Sequence, residues 1–250
     1  MLGLIRRYLD AGIMVNGVVM ERHEGAPQGG PLSPLMANVL LDEVDKELER
    51  RGLSFVRYAD DLNVYVRSKR AGEDAMQTLR RLYADLRLQI NESKSAVARP
   101  EDRKFLGYSF WYQEEKVRRR VAPKALEVMK ERIRQITRRV SGRSMKAVVA
   151  KLRSYLLGWK EYFQLNELPS IFRDLDKWIR HRLRAIQLKQ WKRGTTAFEQ
   201  LRARGVPEHV AISVVPHVRR WWRTSSHMAI HTALPNVTDQ RRRDEDRAAA

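Results

Sequence analysis

The stretch LSFVRYADDLNVYV, residues 53–66, places two adjacent aspartates, Asp60 and Asp61, between two apolar runs. Runs rich in β-branched and aromatic residues favour strands, so this pattern predicts a strand, a turn and a strand with both carboxylates at the tip. Adjacent carboxylates disfavour joint ionisation unless a cation neutralises them, which makes the pair a candidate Mg²⁺ site. An ordinary solvated turn is the alternative that these two residues leave open.

Further elements can be read outward from this hairpin. The loop GAPQGGPLSP, residues 25–34, contains three Pro and three Gly, which precludes a regular helix. Ser33 or Pro34 then opens a helix that ends near Arg51, and its apolar positions are Met36, Leu40, Val44 and Leu48. The other predicted elements are a short helix over 2–10, a hairpin over 12–24, a helix over 71–87 and a strand over 104–111. This mixed order predicts an α+β fold.

From Val121 onward the pattern is that of helices alone. Three amphipathic stretches, at 126–140, 152–163 and 172–186, predict a small helical bundle. Basic side chains between the apolar stripes form candidate nucleic-acid surfaces, namely Arg138, Arg139, Arg180, Arg182 and Arg184. Arg118, Arg119 and Arg120 are predicted to join the two parts as a linker without a packing role, which makes them candidate contacts to a phosphate backbone.

The charge of the chain is unevenly distributed. Its 250 residues carry 49 Lys+Arg against 30 Asp+Glu, a formal net charge of +19. Residues 1–98 hold 14 of each kind, so residues 99–250 supply the whole excess. This favours a polyanionic partner, nucleic acid first and an anionic membrane second. A merely well-solvated surface is the alternative.

Composition also excludes several classes of protein. The chain has no Cys, which excludes disulfide frameworks and thiolate zinc sites. No apolar run approaches the roughly 20 residues of a membrane span, and the N-terminus lacks the apolar core of a secretory signal. We therefore expect a soluble, cytoplasmic protein that does not bind a membrane.

Five segments, in order, resemble the reverse transcriptases and maturases encoded by group II introns. Tyr58-Ala59-Asp60-Asp61 resembles their YxDD box, and QGGPLSP, residues 28–34, resembles their PQGxxxSP box. LQINESKS at 88–95 and FLGY at 105–108 resemble the two segments that follow. Three further stretches resemble the family's maturase-specific (X, or thumb) region: residues 152–163, residues 178–184 and ALPN at 233–236. The chain is identified as a member of this family.

The resemblance implies a partial reverse-transcriptase palm followed by an all-α thumb. The domains expected are the C-terminal half of the palm at 1–120, a helical thumb/maturase domain at 121–192, a basic extension at 193–240 and a disordered tail at 241–250. The activity implied is RNA-directed DNA polymerisation, with intron RNA bound by the thumb. The partners implied are group II intron RNA, a template–primer duplex and dNTPs, as for a retroelement enzyme.

The resemblance also assigns roles to individual residues. Asp60 and Asp61 become catalytic metal ligands for Mg²⁺ in a two-metal mechanism. Lys94 takes a catalytic place near the triphosphate, with a surface position at a helix end as the alternative. The residues expected to contact the nucleotide substrate are Gln28, Gly29, Gly30, Pro31, Tyr58 and Ala59.

The family's first palm motif and its fingers would precede the PQG box by several dozen residues, whereas Gln28 has only 27 residues before it. We therefore expect the chain to be the C-terminal part of the enzyme, to bind RNA and to polymerise poorly or not at all. A truncated reading frame, one half of a split enzyme with separately encoded fingers, and a non-catalytic maturase that assists splicing all remain open. Trp221-Trp222, beside Arg219, Arg220 and Arg223, either stacks on bases or packs on the bundle.

Overall fold

The structure is a computed structural model that describes residues 2–10, 13–15, 18–20, 32–114, 116–139 and 142–235. It divides into two compact units, Met1–Arg99 and Pro100–Ala250. Helices and small antiparallel sheets occur together, which confirms the predicted α+β class. The division at Arg99 lies upstream of the domain boundary predicted at residue 120.

The first unit contains the hairpin that bears the two aspartates. Its elements are α1 (Leu2–Asp10), β1 (Ile13–Val15), β2 (Val18–Met20), α2 (Ser33–Arg50), β3 (Ser54–Tyr58), β4 (Asp61–Tyr65) and α3 (Lys69–Asp85). Two antiparallel pairs form, β1 with β2 and β3 with β4. Pro34 stands in the first turn of α2, where its missing N–H costs no helical bond, and Ser68 caps α3 by accepting from Ala71 N at 3.2 Å.

The core of the first unit lies between α2, α3 and the inner face of the β3–β4 hairpin. Leu41, Val44 and Leu48 of α2 are buried at its centre. Apolar residues of the hairpin and of α3 pack around them, among them Phe55, Leu62, Val64, Leu79 and Leu82. The prediction that Leu40 belongs to the buried apolar face of α2 is wrong, because Leu40 is 39% exposed and the neighbouring Leu41 is buried instead.

The second unit starts with a three-stranded antiparallel sheet in the order β5 (Lys104–Phe105), β6 (Tyr108–Gln113), β7 (Lys116–Val121). Three long helices follow: α4 (Pro123–Ile136), α5 (Met145–Tyr162) and α6 (Pro169–Trp191). Four short helices follow in the described part of this unit: α7 (Gly194–Arg202), α8 (Glu208–Val214), α9 (Trp221–Thr224) and α10 (Met228–Ala233). Among the described residues of both units, every helix is too short or too polar to cross a membrane.

The sheet belongs to the same compact unit as the helices because hydrogen bonds connect it to α5. Tyr108 donates its hydroxyl to Tyr162 O at 2.8 Å, and Tyr162 donates its own to Leu106 O at 3.1 Å. Gly107 turns the chain between β5 and β6 with a φ of 78°, and a Cβ there would lie 3.1 Å from the Phe163 ring. A side chain at this turn would therefore meet both backbone strain and the ring.

Two hydrophobic cores occupy the helical unit. The first joins α4, α5 and α6 through Met129, Ile133, Ile136, Leu152, Leu175 and Ile179, as the helical spacing predicts. The second gathers the end of α6 with α7, α8 and α10, and the segment expected to be a basic extension is therefore a packed helical body. Its buried side chains include Leu188, Trp191, Leu201, Val206, Val214 and Ile230.

Candidate active site and nucleic-acid interface

The tip of the β3–β4 hairpin carries both aspartates. Tyr58 pairs with Asp61 at the end of the ladder, so Ala59 and Asp60 form a two-residue turn. Ala59 has a φ of 52°, in the left-handed region that a residue with a Cβ disfavours. The turn that carries Asp60 is therefore strained, and neighbouring groups must hold it in place.

Strand periodicity sets the direction of each hairpin side chain. Phe55 and Arg57 are partly buried against α2 and α3, whereas Val56 and Tyr58 alternate to the outer face. Tyr58 is 62% exposed, and its register partner Asp61 is exposed as well. Asp60 at the turn is also exposed. Both carboxylates thus reach solvent at one end of the hairpin.

The inward-facing Arg57 supports the turn. Its Nε donates to Asp45 Oδ1 at 2.8 Å, and its Nη2 donates to Asp45 Oδ2 at 2.5 Å. Its Nη1 donates to Asn38 Oδ1 at 2.9 Å and to the carbonyl oxygen of Ala59 at 3.1 Å. The hydrogen bonds with Asp45 raise the pKa of Arg57 above its usual value. One guanidinium thereby ties α2 to the residue that precedes Asp60.

The electrostatic environment of the turn extends to Tyr83 of α3. Burial raises the pKa of Tyr83, the positive charge of Arg57 opposes that rise, and the carboxylates of Asp45 and Asp60 reinforce it. The carboxylate of Asp60 therefore acts electrostatically on the Tyr83 hydroxyl, although Asp60 itself is exposed to water.

An open groove of about 1000 Å³ lies between α2 and the hairpin. Ser33 and Pro34 line it at the start of α2, and Tyr58, Ala59 and Asp60 line it on the hairpin. Carboxylates outnumber cations among its charged side chains, which are Asp42, Asp45, Glu49, Asp60, Lys46 and Arg57. Such a lining repels a bare triphosphate, so a nucleotide here requires accompanying cations.

Some predicted substrate residues cannot be placed in this groove. Gln28, Gly29, Gly30 and Pro31 lie outside the described residues, and the structure brings only Tyr58 and Ala59 of the predicted set to the groove. Lys94 lies in an exposed turn after α3, where its backbone N–H donates to Asn91 O at 3.0 Å. Its place beside a triphosphate stays a prediction.

The donor set at the hairpin tip fits a hard divalent cation. Asp60 and Asp61 offer adjacent, exposed carboxylate oxygens, and Mg²⁺ in proteins commonly takes one or two carboxylates and completes its shell with water and phosphate oxygens. Within the described ranges, no group of three or more His, Asp or Glu side chains is arranged to hold a metal. Asp60 and Asp61 are the residues that would hold Mg²⁺ on this fit, and their role as its ligands stays a prediction.

The basic triplet expected in a linker forms part of β7 instead. Arg119 donates to Glu167 Oε1 at 2.7 Å, and the Nη1 of Arg118 lies 3.6 Å from Glu167 Oε2. Arg120 donates to Ser109 Oγ at 3.3 Å. The expectation that these arginines have no packing role is wrong, because sheet formation gives each a partner within the unit. Their contact with RNA stays a prediction.

The predicted arginines that follow α4 and those of α6 occupy different environments. Arg138 and Arg139 are exposed, and Arg180 pairs with Asp176 one turn earlier. Arg182 is partly buried and donates to Thr137 Oγ1 at 2.7 Å; this burial lowers its pKa. Arg184 is 7% exposed and donates to Leu234 O at 3.0 Å. The expectation that Arg184 lies on an exposed basic face is wrong, because the second core covers it.

Family models match both units of the chain. The model for reverse transcriptase (RNA-dependent DNA polymerase) matches residues 2–110, which include the hairpin and the groove. The model for the group II intron maturase-specific domain matches residues 126–205, which include α4, α5 and α6. The chain belongs to the group II intron reverse transcriptase/maturase family.

Relatives of this reverse transcriptase/maturase family match parts of the chain. Group II intron-encoded protein LtrA of Lactococcus lactis subsp. cremoris is 43% identical over 54 residues, 22% of this chain and 9% of LtrA. Retron Ec86 reverse transcriptase of Escherichia coli is 32% identical over 82 residues, 31% of this chain and 26% of that protein. Protein YkfC of Escherichia coli (strain K12) is 27% identical over 134 residues, 40% of this chain and 35% of YkfC. The matches thus span a third or less of most of these proteins.

Sequence reasoning about the family motifs missed the residues that support the hairpin. Arg57 and Asp45 come from different elements, and neither belongs to the boxes that identify the family. One signal was present: Arg57 stands at a position of β3 that faces inward by strand alternation, where a charged side chain needs a partner. The partner, Asp45, lies on α2 beside the buried Val44, so the pairing depends on the tertiary fold.

Proposed function

We propose that this protein acts in RNA-directed DNA synthesis, with the hairpin of the first unit providing the metal ligands and the helical unit binding intron RNA. The observation that carries the proposal is the tip of the β3–β4 hairpin, where Asp60 and Asp61 reach solvent beside an acidic groove. The reaction joins the 3′-hydroxyl oxygen of a primer to the α-phosphorus of a dNTP and releases pyrophosphate.

Each part of the site has a separate task in this proposal. Mg²⁺, when bound, neutralises phosphate charge and favours ionisation of the attacking hydroxyl, with two ions in the complete mechanism. Asp60 and Asp61 hold and orient the ion at the hairpin tip, and Arg57 fixes the backbone that carries Asp60. The acidic lining of the groove favours a metal-bound nucleotide over a bare one. Lys94 is proposed to neutralise the leaving group.

A second candidate is a non-catalytic maturase that binds and stabilises intron RNA. The uneven charge favours it, because residues 99–250 carry the whole positive excess and the hairpin lies outside them. RNA affinity then depends on the second unit and does not require the aspartates. Substitution of the two hairpin aspartates therefore distinguishes the two candidate functions.

The test compares the full chain with its Asp60→Ala/Asp61→Ala variant. Primer extension on an RNA template with Mg²⁺ reports synthesis, Mn²⁺ titration followed by electron paramagnetic resonance reports metal binding, and RNA affinity is measured in parallel. Asp74→Ala/Asp85→Ala on the exposed face of α3 removes the same charge and serves as the control.

We expect the Asp60/Asp61 variant to lose Mn²⁺ binding and any synthesis, whereas its RNA affinity stays unchanged or rises slightly. Equal Mn²⁺ binding by the variant and the wild type would refute the metal assignment. If the wild type binds RNA but neither binds Mn²⁺ nor extends the primer, the polymerase candidate is refuted and the maturase candidate is supported. A wild-type chain that neither binds RNA nor extends a primer would contradict both candidates.

A further inference from the structure

Three elements that are distant in the sequence meet at the ring of Trp221. Arg139, just after α4, lies 5.9 Å from the ring centroid, and Lys189 of α6 lies 4.9 Å from it. Trp221 itself opens α9 and packs against the second core. The indole therefore holds two cations at one place on the surface of the second unit, through cation–π attraction that does not neutralise either charge.

More positive charge flanks the same ring. Arg219, Arg220 and Arg223 are exposed and lie within two residues of Trp221. We call Trp221, Arg139, Lys189 and these three arginines the Trp221 cluster. Among the described residues, none of the five cations of the cluster takes part in an ion pair with a carboxylate.

The sequence explains why carboxylates are scarce around this cluster. Residues 132–160, 177–198 and 209–238 contain no Asp or Glu, and each of the three elements that meet at Trp221 comes from one of these stretches. Like charges gathered without local compensation are unfavourable for the protein alone, and an anion relieves their repulsion. Nearby Arg182 responds to the same field: besides its burial, the charges of Arg139 and Arg134 lower its pKa.

An exposed aromatic ring lies next to these cations. Trp222 is 44% exposed, and it meets the His181 ring edge to face with 3.9 Å between centroids. His181 accepts or donates a hydrogen bond with Ser225 Oγ at 3.2 Å, which fixes its ring against α9. Trp222 is therefore held in place on one side and open on the other. An anchored, partly exposed indole beside a group of cations suits a nucleotide whose base is not paired, because the ring can stack on the base while the cations attract the phosphates.

We propose that the Trp221 cluster binds the phosphate backbone of unpaired RNA, with Trp222 stacking on a base. The inference deepens the RNA binding in the proposed function and rests on it, but it is independent of the polymerase chemistry. It assigns RNA binding to residues 219–223, beyond the part of the chain that the maturase model matches.

The first test measures the affinity of the full chain for a labelled, unstructured oligoribonucleotide by fluorescence anisotropy at several salt concentrations. The variant is Arg219→Gln/Arg220→Gln/Arg223→Gln. Lys146→Gln/Lys151→Gln/Arg153→Gln, on exposed positions of α5, removes the same charge elsewhere on the second unit. The slope of log affinity against log salt is negative, and each phosphate of a single strand that the protein ceases to neutralise makes it shallower by about 0.7. We therefore expect the three substitutions of the first variant to make the slope shallower by about 2. The control should change it little.

The second test addresses stacking. Trp222→Ala should weaken binding to the unpaired oligonucleotide about tenfold with little change in the salt slope, and Trp222→Phe should retain most of the affinity. A blunt RNA duplex should bind less tightly and should not respond to Trp222→Ala. Circular dichroism and thermal unfolding verify that each variant is folded, since Trp222 also packs on His181.

The outcomes separate this inference from the proposed function. If the wild type binds RNA but the arginine variant and its α5 control lose equal affinity, net charge explains binding and the Trp221 cluster is not the site. If Trp222→Ala affects duplex and unpaired RNA alike, the stacking role is wrong. If the wild type binds no RNA but binds phosphatidylserine vesicles through the same arginines, both the inference and the RNA-binding part of the proposed function fail.

Discussion

Arg57 and Asp45 form a bidentate ion pair between β3 and α2, with Nε–Oδ1 at 2.8 Å and Nη2–Oδ2 at 2.5 Å. Their side chains are only 12% and 20% exposed. The fork of the guanidinium matches the two carboxylate oxygens, and its remaining nitrogen reaches the carbonyl of Ala59. Lysine cannot reproduce this geometry, because its single ammonium group lacks the planar fork.

Removing Arg57 should therefore destabilise the first unit. Arg57→Met leaves the partly buried carboxylate of Asp45 without its cation, and we expect a loss of about 2 kcal/mol in the free energy of unfolding. Arg57→Met/Asp45→Leu should recover part of that loss. Chemical denaturation measures both, with exposed Arg81→Met as the control. A double variant no more stable than Arg57→Met alone would show that the carboxylate is not the cause.

The pH dependence of stability should contain a contribution from Glu47. Hydrogen bonds from Arg50 and Arg51 lower its pKa from 4.5 to about 2 in the folded chain. A carboxylate whose pKa is depressed on folding stabilises the protein above its unfolded pKa, and this contribution is lost as the pH falls from 4.5 toward 2. Glu47→Gln should lower stability near neutral pH and flatten the acid limb. Denaturation midpoints measured across this range, with Glu49→Gln for comparison, provide the check.

The second core should be as sensitive to truncation as the first. Leu201 is 0% exposed among α6, α7, α8 and α10, so Leu201→Ala should reduce the free energy of unfolding by about 3 kcal/mol. Ile212 on neighbouring α8 is 53% exposed, and Ile212→Ala should cost less than about 0.5 kcal/mol. Thermal unfolding measures both. Equal effects would contradict the packed body that the structure assigns to residues 188–234.

Arg184 and Arg138 both belong to the set of arginines predicted to bind nucleic acid, but we expect Arg184 to stabilise the fold and Arg138 to contact RNA. Arg184→Met removes the donors to Leu234 O and should cost about 2 kcal/mol of stability. Arg138→Gln, at an exposed position, should leave stability within about 0.5 kcal/mol and weaken RNA binding. Denaturation and RNA affinity are measured for both variants. If Arg184→Met left the stability unchanged but weakened RNA affinity, the structural role of Arg184 would be wrong and a role in RNA binding would be supported.

Local patterns predicted the elements that depend on local signals. The apolar runs around Asp60 and Asp61 gave the hairpin, and residues three and four apart gave the three long helices and the core through Ile133 and Leu175. The prediction failed where distant contacts decide. The run of basic residues at 118–120 shows no apolar alternation and predicts a linker, whereas in the structure it forms part of β7 by pairing with β6.

The same distinction explains the site. Asp60 and Asp61 could be found from the sequence because their chemistry lies in adjacent positions. The Arg57–Asp45 pair and the meeting of Arg139 with Lys189 at Trp221 could not, since tertiary packing alone brings these partners together. Arg184 illustrates the reverse case: helical spacing groups it with the partly exposed Arg180 and Arg182, but tertiary packing buries Arg184 beside the second core.

The length of α6 has a consequence for how the second unit unfolds. This helix contributes Leu175 and Ile179 to one core and Leu188 and Trp191 to the other. Because α6 contributes side chains to both cores, neither core can open fully without weakening the other. In a hydrogen-exchange experiment, the most protected amides of the two cores should therefore exchange as a single cooperative group. A ligand bound at either end of α6 would then slow exchange at both ends, by mass action on that shared opening.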